Sequence, residues 1–256
     1  MAAGRGGLVV VDTRDPDAPR IAGRYPTDWP AVAVAFSGNR ALVAANSAGM
    51  HCVDVTDPTR PSRLGVYDAG EPVVAVAARD SLAIVGGREA GLHVVDLADA
   101  TQPKRIGHLP IQGCTGGLLW DGNLVYLGES YDLGLQAATL TLVDLSNPST
   151  PIRLSKSTLS MHAAGFAIQR GRLWVADWVG LTAFPLGPVL RVEGDLSVNL
   201  FGTEGQRYEV QELLPNAPAP SWLPVTEVVG AQAARNIGRL PGPDGSSRLL
   251  RAVPKP

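Results

Sequence analysis

Four five-residue stretches ending in aspartate recur along the chain at a nearly constant interval: LVVVD at 8–12, MHCVD at 50–54, LHVVD at 92–96 and LTLVD at 140–144. Asp12, Asp54, Asp96 and Asp144 are therefore separated by 42, 42 and 48 residues, and a degenerate fifth copy, LTAFP, stands at 181–185. A period near ~40–45 residues, carried by strand-like runs and turns rather than helical patterns, is what propeller blades produce. One blade cannot bury both faces of its sheet, so copies must stack on each other.

Each repeat divides into four strand-sized runs. In the unit at 31–67 these are 31–36, 41–45, 50–55 and 63–67, with Ser37-Gly38-Asn39, residues 46–49 and residues 57–61 as turns. The next unit gives 73–77, 82–85, 92–97 and 105–109. A third gives 117–120, 124–127, 140–145 and 152–155, with its middle loop enlarged by six residues around 131–134. A fourth gives 164–168, 173–176, 181–186 and 189–192. Ahead of them stand only 8–11 and 20–25, the last two strands of a blade. Four antiparallel strands per unit predict an all-β chain of four and a half blades. The recurrent Asp-x-x-Asp/Asn-Pro element at 12–16, 54–58 and 144–148 offers oxygen donors of the kind calcium takes. The turn reading is preferred, because Asp and Asn side chains bond to nearby backbone N–H groups while Pro fixes φ.

The copies LVVVDTRDPDAPRIAG, MHCVDVTDPTRPSRLG, LHVVDLADATQPKRIG and LTLVDLSNPSTPIRLS, followed by strand pairs such as AVAVAFSGNRALVAAN, resemble the LVIVD repeat of bacterial and archaeal β-propellers over about residues 7–193. The resemblance implies a propeller, a surface or secreted setting in the full-length form, and binding rather than settled catalysis. Propellers of that kind usually have six or seven blades, so this chain is expected to be N-terminally incomplete. After Glu193 the period is lost, and runs at 196–201, 206–212, 222–230, 235–240 and 248–253 are separated by Gly and Pro. The expected division is a propeller at 1–193 and a small β-sandwich-like module at 194–256, with Tyr208, Trp222 and residues 249–253 as its core. The propeller is then an open arc with a free strand edge at 8–11. The rival arrangement has 196–201 and 206–212 supply the missing strands and close a five-bladed ring, removing that edge.

Charge excludes one partner class. Lys+Arg number 22 against Asp+Glu 24, with no basic run to neutralise a phosphate backbone, so nucleic acid is not expected. Apolar runs of three to six residues fall far short of the ~20 a membrane helix needs. The opening MAAGRGG lacks the apolar centre of a secretory signal. Cys52 takes the place of Val10, Val94 and Leu142 and reads as core, Cys114 as a loop residue, and neither a disulfide framework nor a metal site is expected.

Scaffolds of this type carry function on their loops. Aligning loops by their distance from the repeated Asp gathers Trp29, Glu71, Arg88, Glu129, Tyr131, Asp132, His162, Asp177 and Trp178 on one face, a mixed-charge pocket with Trp29 and Trp178 as flat walls. The leading reading is a non-catalytic binding or scaffold protein with a protein or carbohydrate ligand, no cofactor and no membrane insertion. The alternative is a hydrolase or lyase acting on a small polar substrate, with His162 as general base and Glu129 and Asp177 nearby. His51 and His93 are expected to be solvated strand residues. No G-x-S-x-G, H-E-x-x-H or phosphate-cradling glycine loop occurs.

Overall fold

The computed structural model describes the chain except residues 90, 112, 131–137, 160–161, 170–171, 178–179, 186–188, 193–196, 202–206, 214–221, 230–234, 240–249 and 256; the side chains of Cys114 and of most residues from 185 to 254 also lie outside the description. The described residues are all-β, and their strands follow the repeat. A half-blade of β1 (Leu8–Asp12) and β2 (Arg20–Tyr25) forms a two-stranded antiparallel sheet. Blade 1 is the meander β3 (Ala33–Ser37), β4 (Arg40–Ala44), β5 (Met50–Asp54), β6 (Ser62–Tyr67). Blade 2 is β7 (Val73–Arg79), β8 (Leu82–Gly87), β9 (Leu92–Asp96), β10 (Lys104–Leu109), and blade 3 is β11 (Cys114–Asp121), β12 (Leu124–Ser130), β13 (Ala138–Asp144), β14 (Ile152–Leu159). A fourth sheet holds β15 (Ala163–Gln169), β16 (Arg172–Asp177) and β17 (Leu181–Pro185).

Stacking explains why these strands are apolar at successive positions rather than at alternate ones. Successive residues of a strand point to opposite faces, and here each face meets a neighbouring blade. In β4, Ala41 and Val43 pack with Leu8, Ala31 and Val53 toward the half-blade. Leu42 and Ala44 pack with Met50, Cys52, Val85 and Val95 toward blade 2. In β8, Ala83 and Val85 belong to that second cluster, while Ile84 joins Leu92, Val94, Val125 and Leu127 toward blade 3. Each such Val, Leu, Ile or Met side chain contributes about 1.5–3 kcal/mol by leaving water.

This arrangement overturns the reading of His51 and His93 as solvated: they are 2% and 2% exposed. The expectation assumed a sheet with one wet face, whereas an interior blade has none. Cys52 is buried as expected, and burial pushes its thiol up to about 11. Cys114 opens strand β11 instead of lying in a loop.

The aspartate turns are local hydrogen-bonded devices. Asp12, Asp54, Asp96 and Asp144 each accept through Oδ1 from the backbone N–H two residues on, at 3.0, 2.8, 2.8 and 2.7 Å. Asp15, Asp57, Asp99 and Asn147 repeat the bond at the second site, at 3.1, 2.9, 2.9 and 3.1 Å. The Thr59 hydroxyl and then the Arg60 side chain hold Asp57 down at about 2, and the Arg14 side chain does the same for Asp12.

The turns also dock. The outermost strand of each early unit carries a bulge next to a glycine, at Gly23, Gly65 and Gly107. A Cβ there would collide with the carbonyl oxygen of Pro58, Ala100 and Pro148 respectively, each in the aspartate turn of the next blade. Blade 3 has Ser155 at this place, and the unit after it has lost the aspartates.

Beyond the fourth sheet lie β18 (Val189–Val192), β19 (Ser197–Phe201), β20 (Arg207–Leu213), β21 (Trp222–Val229), β22 (Arg235–Arg239) and β23 (Leu250–Pro254). Residues 189–192, expected as the outer strand of the fourth blade, pair with β19 instead, in a sheet ordered β18-β19-β22. A second sheet has the order β21-β20-β23. By contacts the chain divides into two compact units, one of Met1–Trp120, Leu124–Ala167 and Val175–Thr182, the other of Asp121–Asn123, Ile168–Trp174 and Ala183–Pro256. The expected core side chains Tyr208 and Trp222, and residue Leu249, lie outside the described side chains.

Candidate functional site

In an antiparallel blade the loop entering the first strand and the loop between the second and third strands fall at the same end. The candidate residues occupy these loops and the adjoining strand ends. Trp29 lies on the link from β2 to β3, where the Thr27 hydroxyl donates to its carbonyl at 2.7 Å, and its side chain is 53% exposed. Glu71, on the link from β6 to β7, accepts through Oε2 from the N–H groups of Arg88 at 3.1 Å and Glu89 at 2.7 Å. It thereby ties the loop after β8 and leaves the Arg88 side chain exposed. Asp177, at the end of β16, closes its loop likewise: Oδ1 accepts from Gly180 N–H at 2.8 Å, and Asp177 N–H donates to Gly180 at 3.0 Å.

Glu129 sits at the end of β12 with its side chain 0% exposed. Lys156 Nζ donates to its Oε2 at 3.0 Å, Arg153 lies 3.8 Å from Oε1, and the Thr139 hydroxyl is 3.5 Å from Oε2. Its carboxylate is thus engaged by its own blade rather than by His162 or Asp177. His162, on the link from β14 to β15, rests its ring on Gly116 of β11, where a Cβ would come within 2.8 Å of Cε1. Burial lowers its pKa below the ordinary histidine value. Tyr131, Asp132 and Trp178 lie outside the described residues.

Sequence reasoning missed a pair of contacts just beneath this face. The Tyr25 hydroxyl is 2.9 Å from His51 Nδ1, and the Tyr67 hydroxyl is 2.8 Å from His93 Nδ1. His51 Nε2 lies 3.2 Å from the carbonyl of Ala48, which can only accept, so Nε2 carries the proton and Nδ1 accepts from the tyrosine. Each pair crosses a seam from the outermost strand of one unit to the third strand of the next. The rings meet edge-on, at centroid separations of 5.9 and 6.0 Å. The signal was present: Tyr25 and Tyr67 lie one repeat apart, as do His51 and His93. Lys156 and Arg153, the partners of Glu129, carried no such signal.

Three of the proposed acids therefore anchor loops or a strand, while Trp29, Arg88, Asp28, Asp68 and Glu89 are exposed. Among the described residues no group of three or more His, Cys, Asp or Glu could hold a metal ion. A face of this composition can dock a partner through one aromatic surface and several charges.

The family model for the LVIVD repeat matches residues 1–27, 30–69 and 133–157. The copy at 92–107 falls outside those matches yet folds as the others do. No curated protein matches the chain in sequence. Among solved structures it is similar to the computationally designed Ika4 protein, with 16% identity over 63% of this chain and 94% of that one and a TM-score of 0.51. It is similar to BamB from Moraxella catarrhalis, with 14% identity over 78% and 66% and a TM-score of 0.52. It is also similar to Sqt1 of Chaetomium thermophilum bound to the N-terminus of ribosomal protein L10, with 14% identity over 78% and 54% and a TM-score of 0.52.

Proposed function

Because the chain carries LVIVD repeats on a β-propeller fold, we propose that it is a non-catalytic binding or scaffold protein whose loop face docks a protein ligand. The observation that carries this reading is the division of labour on that face. Glu71 and Glu129 are spent on backbone N–H groups and on Lys156, whereas Trp29 and Arg88 project into solvent. Exposed aromatic and arginine side chains are the groups that dominate protein interfaces. Sqt1, a neighbour in fold, is seen with a polypeptide segment bound. The setting we propose is extracellular or at the cell surface, with residues 194–256 as a module of their own.

The test is selection of peptides from a displayed random library on the immobilised protein, repeated with a Trp29→Ala/Arg88→Ala variant. Enrichment that the double variant loses at least tenfold is expected. Enrichment of the same peptides on both proteins overturns the assignment of the face, and selective retention on an oligosaccharide array points to a carbohydrate instead. The hydrolase reading has one observation behind it, the lowered pKa of His162. Turnover of esters, lactones or glycosides that His162→Ala abolishes would overturn the non-catalytic reading.

A further inference from the structure

The outermost strands β2, β6, β10 and β14 hold seven Lys and Arg and no Asp or Glu, in a chain whose acids outnumber its bases by 24 to 22. Two of the seven are already engaged, because Arg153 and Lys156 of β14 lie against Glu129. In the turns, Arg14, Arg60 and Arg79 lie against Asp12, Asp57 and Asp80. The remaining five are Arg20 and Arg24 of β2, Arg63 of β6, and Lys104 and Arg105 of β10. All five are exposed, and among the described residues none is within ion-pair distance of a carboxylate.

These three strands are neighbours. Gly23 of β2 abuts the turn that leads into β6, and Gly65 of β6 abuts the turn that leads into β10. The charge of Arg63 is felt by Tyr25 at the end of β2, and that of Arg105 by Tyr67 at the end of β6. Cations that stand a full repeat apart in sequence are thus gathered into one strip. Asp57 and Asp99 precede β6 and β10 in their turns, and Asp28 and Asp68 follow β2 and β6 on their links, so acid bounds the strip while the strands themselves carry only base.

The composition is that of a contact surface rather than of a protected edge. Exposed sheet edges are commonly blunted with charge, Lys above all. Here four of the five cations are Arg, which protein interfaces enrich while they deplete Lys. Between them Ile21, Val66 and Ile106 are 54%, 37% and 37% exposed. The chain has no complement to offer from its second part, since residues 183–256 carry seven acidic and seven basic side chains. A phosphate or sulfate polymer would match the cations and leave the three aliphatic side chains wet. Only a polypeptide sets carboxylates and aliphatic groups a residue apart.

We propose that the strip formed by β2, β6 and β10 docks an acidic polypeptide of another molecule, through a segment in which Asp or Glu is interspersed with aliphatic residues. Its carboxylates accept paired N–H bonds from the guanidinium groups of Arg20, Arg24, Arg63 and Arg105, a geometry Lys cannot match. Its aliphatic side chains cover Ile21, Val66 and Ile106. This surface is separate from the loop face, and it stands whether or not that face binds a ligand.

The probe is a labelled peptide of four Glu-Val-Glu repeats titrated into the full chain, with four Glu-Ser-Glu repeats, a heparin oligosaccharide and an oligothymidylate as controls. Saturable one-to-one binding of the valine peptide, at least tenfold tighter than any control and weakening as salt rises, is expected. An Arg20→Gln/Arg63→Gln/Arg105→Gln variant should weaken it at least tenfold, whereas Trp29→Ala/Arg88→Ala should leave it within twofold. Ile21→Ser/Ile106→Ser keeps every charge and should weaken the valine peptide at least threefold without affecting the serine peptide. Should the arginine variant fail to fold, the isoleucine pair decides. No saturable binding overturns the proposal, as does equal binding by wild type and the variants of the strip. Loss of binding in the Trp29/Arg88 variant would move the peptide to the loop face and overturn it too. A control that binds as tightly as the valine peptide would make the strip a general polyanion surface, which also contradicts it.

Discussion

The seams from half-blade to blade 1 and from blade 1 to blade 2 are closed by hydrogen-bonded ring pairs, Tyr25 with His51 and Tyr67 with His93. The seam from blade 2 to blade 3 keeps the same register, but Leu109 stands where the tyrosine was and Thr141 where the histidine was. There blade 3 supplies charge. Glu129 is buried against Lys156 and Arg153, and Arg153 also donates to the Pro110 carbonyl of blade 2 at 3.2 Å. The comparison teaches that the repeat specifies where polar groups must meet in an otherwise apolar seam and leaves their chemistry open. A neutral pair involves little desolvation cost, whereas a buried carboxylate is tolerated only while its cations stay in place.

Removing the carboxylate should therefore have the largest effect. Glu129→Ala leaves Lys156 and Arg153 facing a seam without their anion. Breaking a buried pair costs roughly 3–5 kcal/mol. Both cations keep about a third of their side chain exposed, at 32% and 36%, so the lower end, about 3 kcal/mol by urea unfolding, is expected. A loss below about 1 kcal/mol would mean that this seam is held by apolar packing alone.

Next come the docking glycines. Gly65→Ala places a methyl against the Ala100 carbonyl and should cost about 1–3 kcal/mol, the range for overpacking. Ser155→Ala, at the same place in blade 3, should cost less than about 0.5 kcal/mol, as a surface change does. Equal effects at the two sites would break the link between the glycine and the turn of the next blade. Tyr67→Phe should cost about 1–2 kcal/mol by leaving His93 Nδ1 without its tyrosine partner, the penalty of an unmade buried bond.

Much of this was legible in the sequence. The 42-residue step located the strands of blades 1 and 2 within a few residues, and the aspartate turns bond as Asx turns should. The runs after residue 193 became strands β19 to β23 close to their expected bounds. The histidines were misplaced because strand alternation was read for a sheet with one wet face, and stacked blades have two dry ones. The partner of β18 was misplaced because residues 189–192 carry no repeat signature to bind them to the fourth sheet. On the candidate face, position was legible but occupancy was not. Nothing in the spacing of Glu71 or Glu129 indicates that backbone N–H groups or a lysine from a strand two removed will take up the carboxylate.

The smallest expected effect is also the most direct measurement of the seam account. Burial lowers the pKa of His51, so its contribution is present above the unfolded value near ~6.5 and is lost as pH falls through the lower folded value. His162 titrates in the same sense, and Asp12 and Asp57 lose their contribution further down, between ~4 and about 2. His51→Thr installs the residue that blade 3 uses at this place, removes the first contribution and leaves the others. Urea midpoints of wild type and His51→Thr at pH 7.5 and pH 5.5 isolate it. The account predicts a larger fall between the two pH values in wild type than in the variant, while equal falls would contradict the claim that a buried, neutral Tyr–His pair closes that seam.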